Sequence, residues 1–156
     1  MDIFLESHKK FLTLLLTHQV DFILIGGYAV IVYGYERGTS DMDLWLKPSN
    51  ENKEKFIAAL REHGISEQGL AQLNLLDFTG DPRVFHIGEK PAKIDFLTKV
   101  QGLKFEEAYE VKKLLPLYDL MVPVIQYDHL ILLKMIAGRP QDKADIDVLS
   151  KIHSKK

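Results

Sequence analysis

The spacing of apolar residues changes several times along the first third of the chain, and each change predicts a new element. Between Ile3 and Val20 apolar residues recur at steps of four or seven, which predicts an amphipathic helix carrying Phe4, Leu5, Phe11, Leu12, Leu15 and Leu16 on one side. Residues 22–25, FILI, are a short apolar run typical of a buried strand, and the glycines after it turn the chain into a short helix over YAVIVYG. From Asp41 to Lys47 apolar and polar residues alternate, which predicts a strand with one core face.

A second helix and a hairpin follow this strand. Ser49 or Asn50 can cap a helix that runs to about His63, and Gly64 can end it in the left-handed conformation. Residues 67–78 allow either a loop or a short helix. RVFHI and AKIDFLTKV, separated by the turn GEKP, predict a β-hairpin over 83–87 and 92–100.

The last third of the chain reads as one strand and two helices. LYDLMVPVI, residues 117–125, predicts a strand, and Pro123 places it at an edge or near a strand end. Asp128 can cap the next helix, Gly138 ends it, and Pro140 suits the first turn of the last one. The fold class is therefore α/β (α+β), with a mixed sheet flanked by helices and a C-terminal helical pair.

Length and composition narrow the class of protein. A chain of 156 residues suffices for one domain with its own core, so we expect a single domain over 1–156, with a core over about 20–126 and helices over about 127–153. The net charge of −2 argues against extended nucleic acid binding. The chain has no cysteine and no apolar run long enough for a membrane span, so we expect a cytoplasmic protein with no membrane contact.

Three aspartates stand out because they fall at strand positions. Asp41 and Asp43 share one face of their strand, and Asp95 holds the equivalent place in the second strand of the hairpin. If the two strands are adjacent, three carboxylates converge, and such a cluster either retains protons or binds a divalent cation. Ligands that are all oxygen favour Mg²⁺ or Mn²⁺. The six histidines show no paired metal spacing, so zinc has little support.

These residues carry a family resemblance. GGYAVIVYGYERGTSDMDLWL followed by KIDFL resembles the polymerase-beta-type nucleotidyltransferase superfamily, with its glycine turn, spacer, paired strand carboxylates and later third carboxylate. The form with Arg37, Thr39, Asp41 and Asp43 is similar to the small nucleotidyltransferases of bacterial toxin-antitoxin and abortive-infection systems. The tail LILLKMIAGRPQDKADIDVL resembles the helical segment of those proteins. Gly27 stands where the family usually has serine, so a hydroxyl that could contact phosphate is missing.

The resemblance implies roles for these residues. Asp41 and Asp43 would bind two divalent ions that bridge a nucleoside triphosphate, and Asp95 would bind one of them and help to deprotonate the attacking hydroxyl. Gly26 and Gly27 would let backbone amides approach the triphosphate.

Several residues keep two interpretations. Arg37 suits a phosphate or a loop carboxylate, Thr39 suits the ordering of its loop besides nucleotide contact, and Lys134 on an apolar helix can meet phosphate or extend to solvent. Trp45 can stack on a base or cover the sheet edge. For Arg139 with the aspartates of 142–147 we favour a structural network over catalysis.

The function expected is transfer of a nucleoside monophosphate, with AMP favoured, from an NTP to a hydroxyl on a partner macromolecule, with release of pyrophosphate. The acceptor expected is a cognate toxin protein or a tRNA. The alternatives are a non-catalytic nucleotide-binding or partner-binding module of a toxin-antitoxin system, and an enzyme that modifies a small antibiotic. The intact set of three carboxylates favours the enzyme.

Overall fold

The computed structural model describes residues 3–39 and 41–154, with side chains described from Glu6 onward. The predicted apolar positions Phe4 and Leu5 therefore lie outside the described side chains. The described residues form seven helices and six strands, in the order α1 (Ile3–Thr17), β1 (Phe22–Ile25), α2 (Gly26–Val32), β2 (Asp41–Leu46), α3 (Asn50–His63), α4 (Glu67–Asn74), β3 (Val84–Ile87), β4 (Lys93–Leu97), α5 (Phe105–Glu110), β5 (Lys113–Leu117), β6 (Leu120–Val124), α6 (Tyr127–Ala137) and α7 (Pro140–Ser154).

The six strands form one mixed sheet in the order β3-β4-β2-β1-β6-β5. β2 is parallel to β4 and antiparallel to β1, while β1 is parallel to β6. The two outer pairs, β3 with β4 and β5 with β6, are antiparallel. The predicted fold class, a mixed sheet flanked by helices and followed by two C-terminal helices, is confirmed.

The two faces of the sheet are chemically different. Met42, Leu44 and Phe96 are fully buried on one face. There Phe96 packs against Phe11 of α1 and Phe56 of α3, with ring centroids 5.5 and 4.9 Å apart. The alternate residues of β2 and β4 point to the opposite face, which is where the predicted carboxylates lie. None of the helices described is both long and apolar enough to cross a membrane.

Helix ends follow local chemistry, with one correction. The Ser49 hydroxyl accepts a hydrogen bond from the Asn52 amide at 3.1 Å, and Gly64 closes α3 at φ 102°, as predicted. Gly138 closes α6 at φ 62°. The cap predicted at Asp128 is wrong. The side chain of Gln126 accepts the hydrogen bond from the backbone amide of His129, and Asp128 already lies in the first turn of α6.

The segment between the hairpin and α6 differs most from the prediction. Residues 117–125 are not one strand, because the backbone reverses at Tyr118 and Asp119, with φ values of 53° and 65°, and pairs β5 with β6. The helix α5 is also absent from the prediction. Non-glycine residues seldom adopt positive φ, so no ordinary turn signal marks Tyr118 in the sequence. Residues 67–74, for which the sequence allows either a loop or a helix, are helical.

Candidate active site

Register brings the three predicted aspartates together. β2 and β4 are adjacent and parallel, and Asp43 pairs directly with Asp95. Asp41 lies two residues before Asp43, so its side chain shares their face of the sheet. Neighbouring strands are about 4.8 Å apart, so the carboxylates of a directly paired Asp43 and Asp95 are close neighbours.

Burial and repulsion act on Asp43. Burial, followed by the charges of Asp95 and Asp41, raises the pKa of Asp43 to about 6, although Lys134 and Arg139 act to lower it. Oδ1 of Asp41 is buried and accepts no hydrogen bond from any described residue. Such an oxygen normally has a partner, so the cluster has the donor chemistry of a site for a hard cation.

Gly26 and Gly27 are both required by close packing. Gly26 has φ 70°, and a Cβ there would collide with the Asp43 carboxylate. A Cβ at Gly27 would lie 2.7 Å from the Thr39 hydroxyl and 3.1 Å from the Arg37 guanidinium. In this arrangement Thr39 and Arg37 leave little room at Gly27 for the serine side chain that the resemblance would lead one to expect there.

Arg37 and Lys134 are held by buried carboxylates of α7. Arg37 donates from a terminal nitrogen to Asp145 at 3.0 Å, and its Nε lies 2.8 Å from the same carboxylate without hydrogen-bond geometry. Lys134 Nζ lies 3.0 Å from both Asp142 and Asp145. Both cations also line the cavity beside Asp41 and Asp43, so they face the site while α7 fixes their positions.

Arg139 completes this network. Its guanidinium contacts Asp142 at 2.7 Å, but its side chain remains 71% exposed. Burial opposes the charged form of Asp142, yet hydrogen bonds from Arg139 and Lys134 lower its pKa to about 2. The structure thus contains the expected network of Arg139 with the aspartates of 142–147, but it includes Asp142 and Asp145 and not Asp147. Among the described residues, Asp147 forms its ion pair with the exposed Lys151.

Two cavities meet at Asp43. The first, of about 250 Å³, is mainly polar, and its wall comprises Gly26, Gly27, Arg37, Thr39, Asp41, Asp43, Lys134, Arg139 and Gln141. The second, of about 300 Å³, shares Gly26, Asp43, Lys134 and Arg139 but is otherwise mainly apolar, with Ile25, Leu97, Val100, Leu130, Leu133 and Ile136 in its wall. A ligand with one anionic and one apolar end could therefore span both.

Trp45 does not take part in the site. It is 1% exposed, donates its indole N–H to the Thr98 carbonyl at 3.3 Å, and packs edge-on against Phe105. The interpretation that Trp45 stacks on a base is therefore wrong. The tryptophan is a core residue that packs against α5.

Sequence reasoning missed Lys93. Its ammonium lies 3.4 Å from Asp95 and 3.9 Å from Asp41. Its spacing of two residues before Asp95 placed it on the same face, but only the pairing of β2 with β4 shows that it faces Asp41. Within residues 3–39 and 41–154, no three His, Asp or Glu side chains lie close enough together in their present conformations to hold a metal ion.

A mixed sheet with a glycine turn beside paired strand carboxylates defines the nucleotidyltransferase class of fold, and comparisons with known proteins agree. The family of nucleotidyl transferases of unknown function, DUF2204, matches residues 5–156, and the chain belongs to this family. Six solved chains match the structure. One is the crystal structure of a Thermotoga maritima protein assigned as a nucleotidyltransferase, with a TM-score of 0.59, 12% identity, and coverage of 97% of this chain and 93% of that chain. A search of curated proteins finds no match.

Proposed function

We propose that the protein transfers a nucleoside monophosphate from an NTP to a hydroxyl group, with release of pyrophosphate and with Mg²⁺ or Mn²⁺ as cofactor. The observation that carries the proposal is the placement of Asp41, Asp43 and Asp95 on one face, beside a glycine turn and a polar cavity lined by three cationic side chains. A protein that only bound nucleotide would have no evident use for three acids that repel one another.

The donor chemistry of the carboxylates suits a hard divalent cation, which would draw their side chains together on binding. Oxygen donors of this kind, the unpartnered Oδ1 of Asp41 and the unfavourable charge of Asp43 all favour cation binding. Asp41, Asp43 and Asp95 would hold the two ions. When bound, the ions would neutralise the triphosphate and stabilise charge on the transferring phosphoryl group.

The polar cavity would receive the triphosphate. Gly26 and Gly27 have no side chain to block its approach. Arg139 is the most accessible cation, and Lys134 and Arg37 present charge from positions that Asp142 and Asp145 fix. Fixed cations need no reorganisation when a phosphate group arrives, so they stabilise charge more effectively than mobile ones.

The apolar cavity would receive the nucleoside. It adjoins the polar cavity at Asp43, as an NTP with its phosphates in one and its base in the other requires. Aliphatic side chains such as Leu97, Leu133 and Ile136 would pack against either face of a base.

The proton of the acceptor hydroxyl would pass to Asp95. The hydroxyl oxygen would form a bond to the α-phosphorus as the bond to pyrophosphate breaks, with the proton transferred to the Asp95 carboxylate. Asp95 suits this role because its side chain is 20% exposed and so open to a hydroxyl from solvent, and because it lies directly beside Asp43 on the paired strand.

The acceptor we propose is a partner macromolecule, either a cognate toxin protein or a tRNA end, with AMP as the group transferred and the cytoplasm as the site of action. The net charge of −2 supports a partner held by few contacts rather than an extended nucleic acid. The motif with Arg37 and Thr39 supports the toxin-antitoxin setting. An antibiotic-like small molecule is the alternative acceptor.

Incubation with each α-³²P-labelled NTP and Mg²⁺ or Mn²⁺, alone and with cell extract, tests the proposal. We expect label on protein or RNA with the wild type, none with Asp41→Asn or Asp43→Asn, and unchanged labelling with Asp81→Asn, an exposed control. Label on small molecules alone would replace the acceptor but retain the chemistry. No label with any nucleotide, together with no binding of NTP, would reject the proposed transferase activity.

A further inference from the structure

Lys93 lies beside the three aspartates, at the position on β4 that pairs with Asp41. The register of β2 with β4 pairs Lys93 with Asp41 and Asp95 with Asp43. Alternate residues of a strand share a face, so all four side chains project from the same side of the sheet. The Lys93 Nζ lies 3.4 Å from Asp95 Oδ1 and 3.9 Å from Asp41 Oδ2. One ammonium group therefore lies between two of the three proposed cation ligands.

The other cations of the site are differently placed. Lys134 is ion-paired with Asp142 and Asp145, and its charge acts on Asp43 from the side of α6. Among the described residues, Lys93 is the only one that forms an ion pair with Asp41 or Asp95. Its side chain is 26% exposed, so solvent screens this pairing less than it screens a surface pair.

We propose that the Lys93 ammonium and a divalent cation compete for the carboxylate oxygens of Asp41 and Asp95, so that Lys93 sets the affinity of the site for the cation. This inference rests on the proposed function, because it takes the cluster as the cation site. An ammonium and a divalent ion cannot share these oxygens at contact distance without strong repulsion. A cation can displace the Lys93 ammonium, since the four-carbon stem of the lysine is flexible.

Competition also couples the cation to the nucleotide. A displaced ammonium loses its carboxylate partners, and an NTP supplies new anionic ones. Cation binding without nucleotide should therefore be weak, while nucleotide and cation should each tighten the binding of the other, as linkage requires. Lys93 would therefore weaken the binding of a divalent cation that arrives without nucleotide.

Titration of the full-length protein with Mn²⁺, followed by the EPR signal of free Mn²⁺, measures this affinity without any reaction. We expect Lys93→Met to lower the Mn²⁺ Kd roughly tenfold in the absence of nucleotide, the change that corresponds to ~1.4 kcal/mol. With an NTP analogue that has a non-cleavable α,β-linkage, the difference between variant and wild type should shrink. Lys93→Arg, which keeps the positive charge, and Lys99→Met, the same substitution at an exposed lysine beyond the end of β4, should bind Mn²⁺ as the wild type does.

Circular dichroism confirms folding of each variant, and Lys93→Gln gives a second neutral side chain if Lys93→Met does not fold. Equal or weaker Mn²⁺ binding by the neutral variants would overturn the competition, provided that Asp41→Asn abolishes binding. Mn²⁺ binding that survives Asp41→Asn, or no binding by any variant, would overturn the cation site itself and with it the proposed function.

Discussion

Replacing Asp43 by asparagine should stabilise the cation-free protein, and the effect should depend on pH. Burial and two neighbouring carboxylates raise the pKa of Asp43 from 3.8 to about 6. At 1.36 kcal/mol per pKa unit, this opposes the charged form by roughly 3 kcal/mol. The asparagine side chain keeps the shape of the aspartate without its charge, so the variant avoids that cost.

The pH dependence follows from where the proton is held. As the pH falls below 3.8, the carboxyl of Asp43 becomes protonated in both folded and unfolded states, so the variant and the wild type should differ little. Between about pH 4 and 6 the unfolded chain releases the proton first, and the wild type therefore loses stability as the pH rises. Above about pH 6 the penalty is constant.

Urea unfolding in EDTA at pH 4, 5, 6 and 7.5 measures the effect. We expect Asp43→Asn to exceed the wild type by ~1–3 kcal/mol at pH 7.5 and to match it at pH 4, with Asp81→Asn unchanged throughout. With Mg²⁺ and NTP at about 100 times Kd, the wild type and Asp81→Asn should gain ~2.7 kcal/mol and Asp43→Asn should not. If the difference in unfolding free energy between Asp43→Asn and the wild type were no larger at pH 7.5 than at pH 4, the reasoning about charge at Asp43 would be refuted.

Three further results are expected from the same network. Gly26→Ala should lower the free energy of unfolding by ~2 kcal/mol or more in urea, because it combines positive φ with a clash against Asp43; a neutral result would contradict the close approach of Gly26 to that carboxylate. Lys134→Met should cost roughly 1–3 kcal/mol, since the buried Asp142 and Asp145 carboxylates lose the ammonium that they share but keep Arg139 and Arg37 as partners, and a loss under about 0.5 kcal/mol would show that water replaces the ammonium. Because the pKa of Asp142 is lowered to about 2, its stabilising contribution should be complete above about pH 4 and disappear as the pH falls through 2; urea unfolding of Asp142→Asn should lack that acid-range slope.

Local chemistry explains why much of the fold could be predicted. The caps of α3 and the alternation of β2 depend on residues within a few positions of one another, so they can be predicted from the sequence alone. The same holds for the side of its own strand to which each of Asp41, Asp43 and Asp95 points, because side chains alternate along a strand. The turn at Tyr118 could not be predicted, because tyrosine does not favour the positive φ that it adopts between β5 and β6.

Which face of each strand carries the acids follows from the order of residues, since side chains alternate strictly along a strand. The glycine turn and the helix that follows it are equally local. The position of β2 beside β4 depends instead on packing across the whole sheet, and it becomes visible only in the folded chain. That pairing sets Asp43 against Asp95 and Lys93 against Asp41. The ion pairs that fix Arg37 and Lys134 likewise arise only when α7 packs beside the site, because their partners lie far along the chain or one helix away.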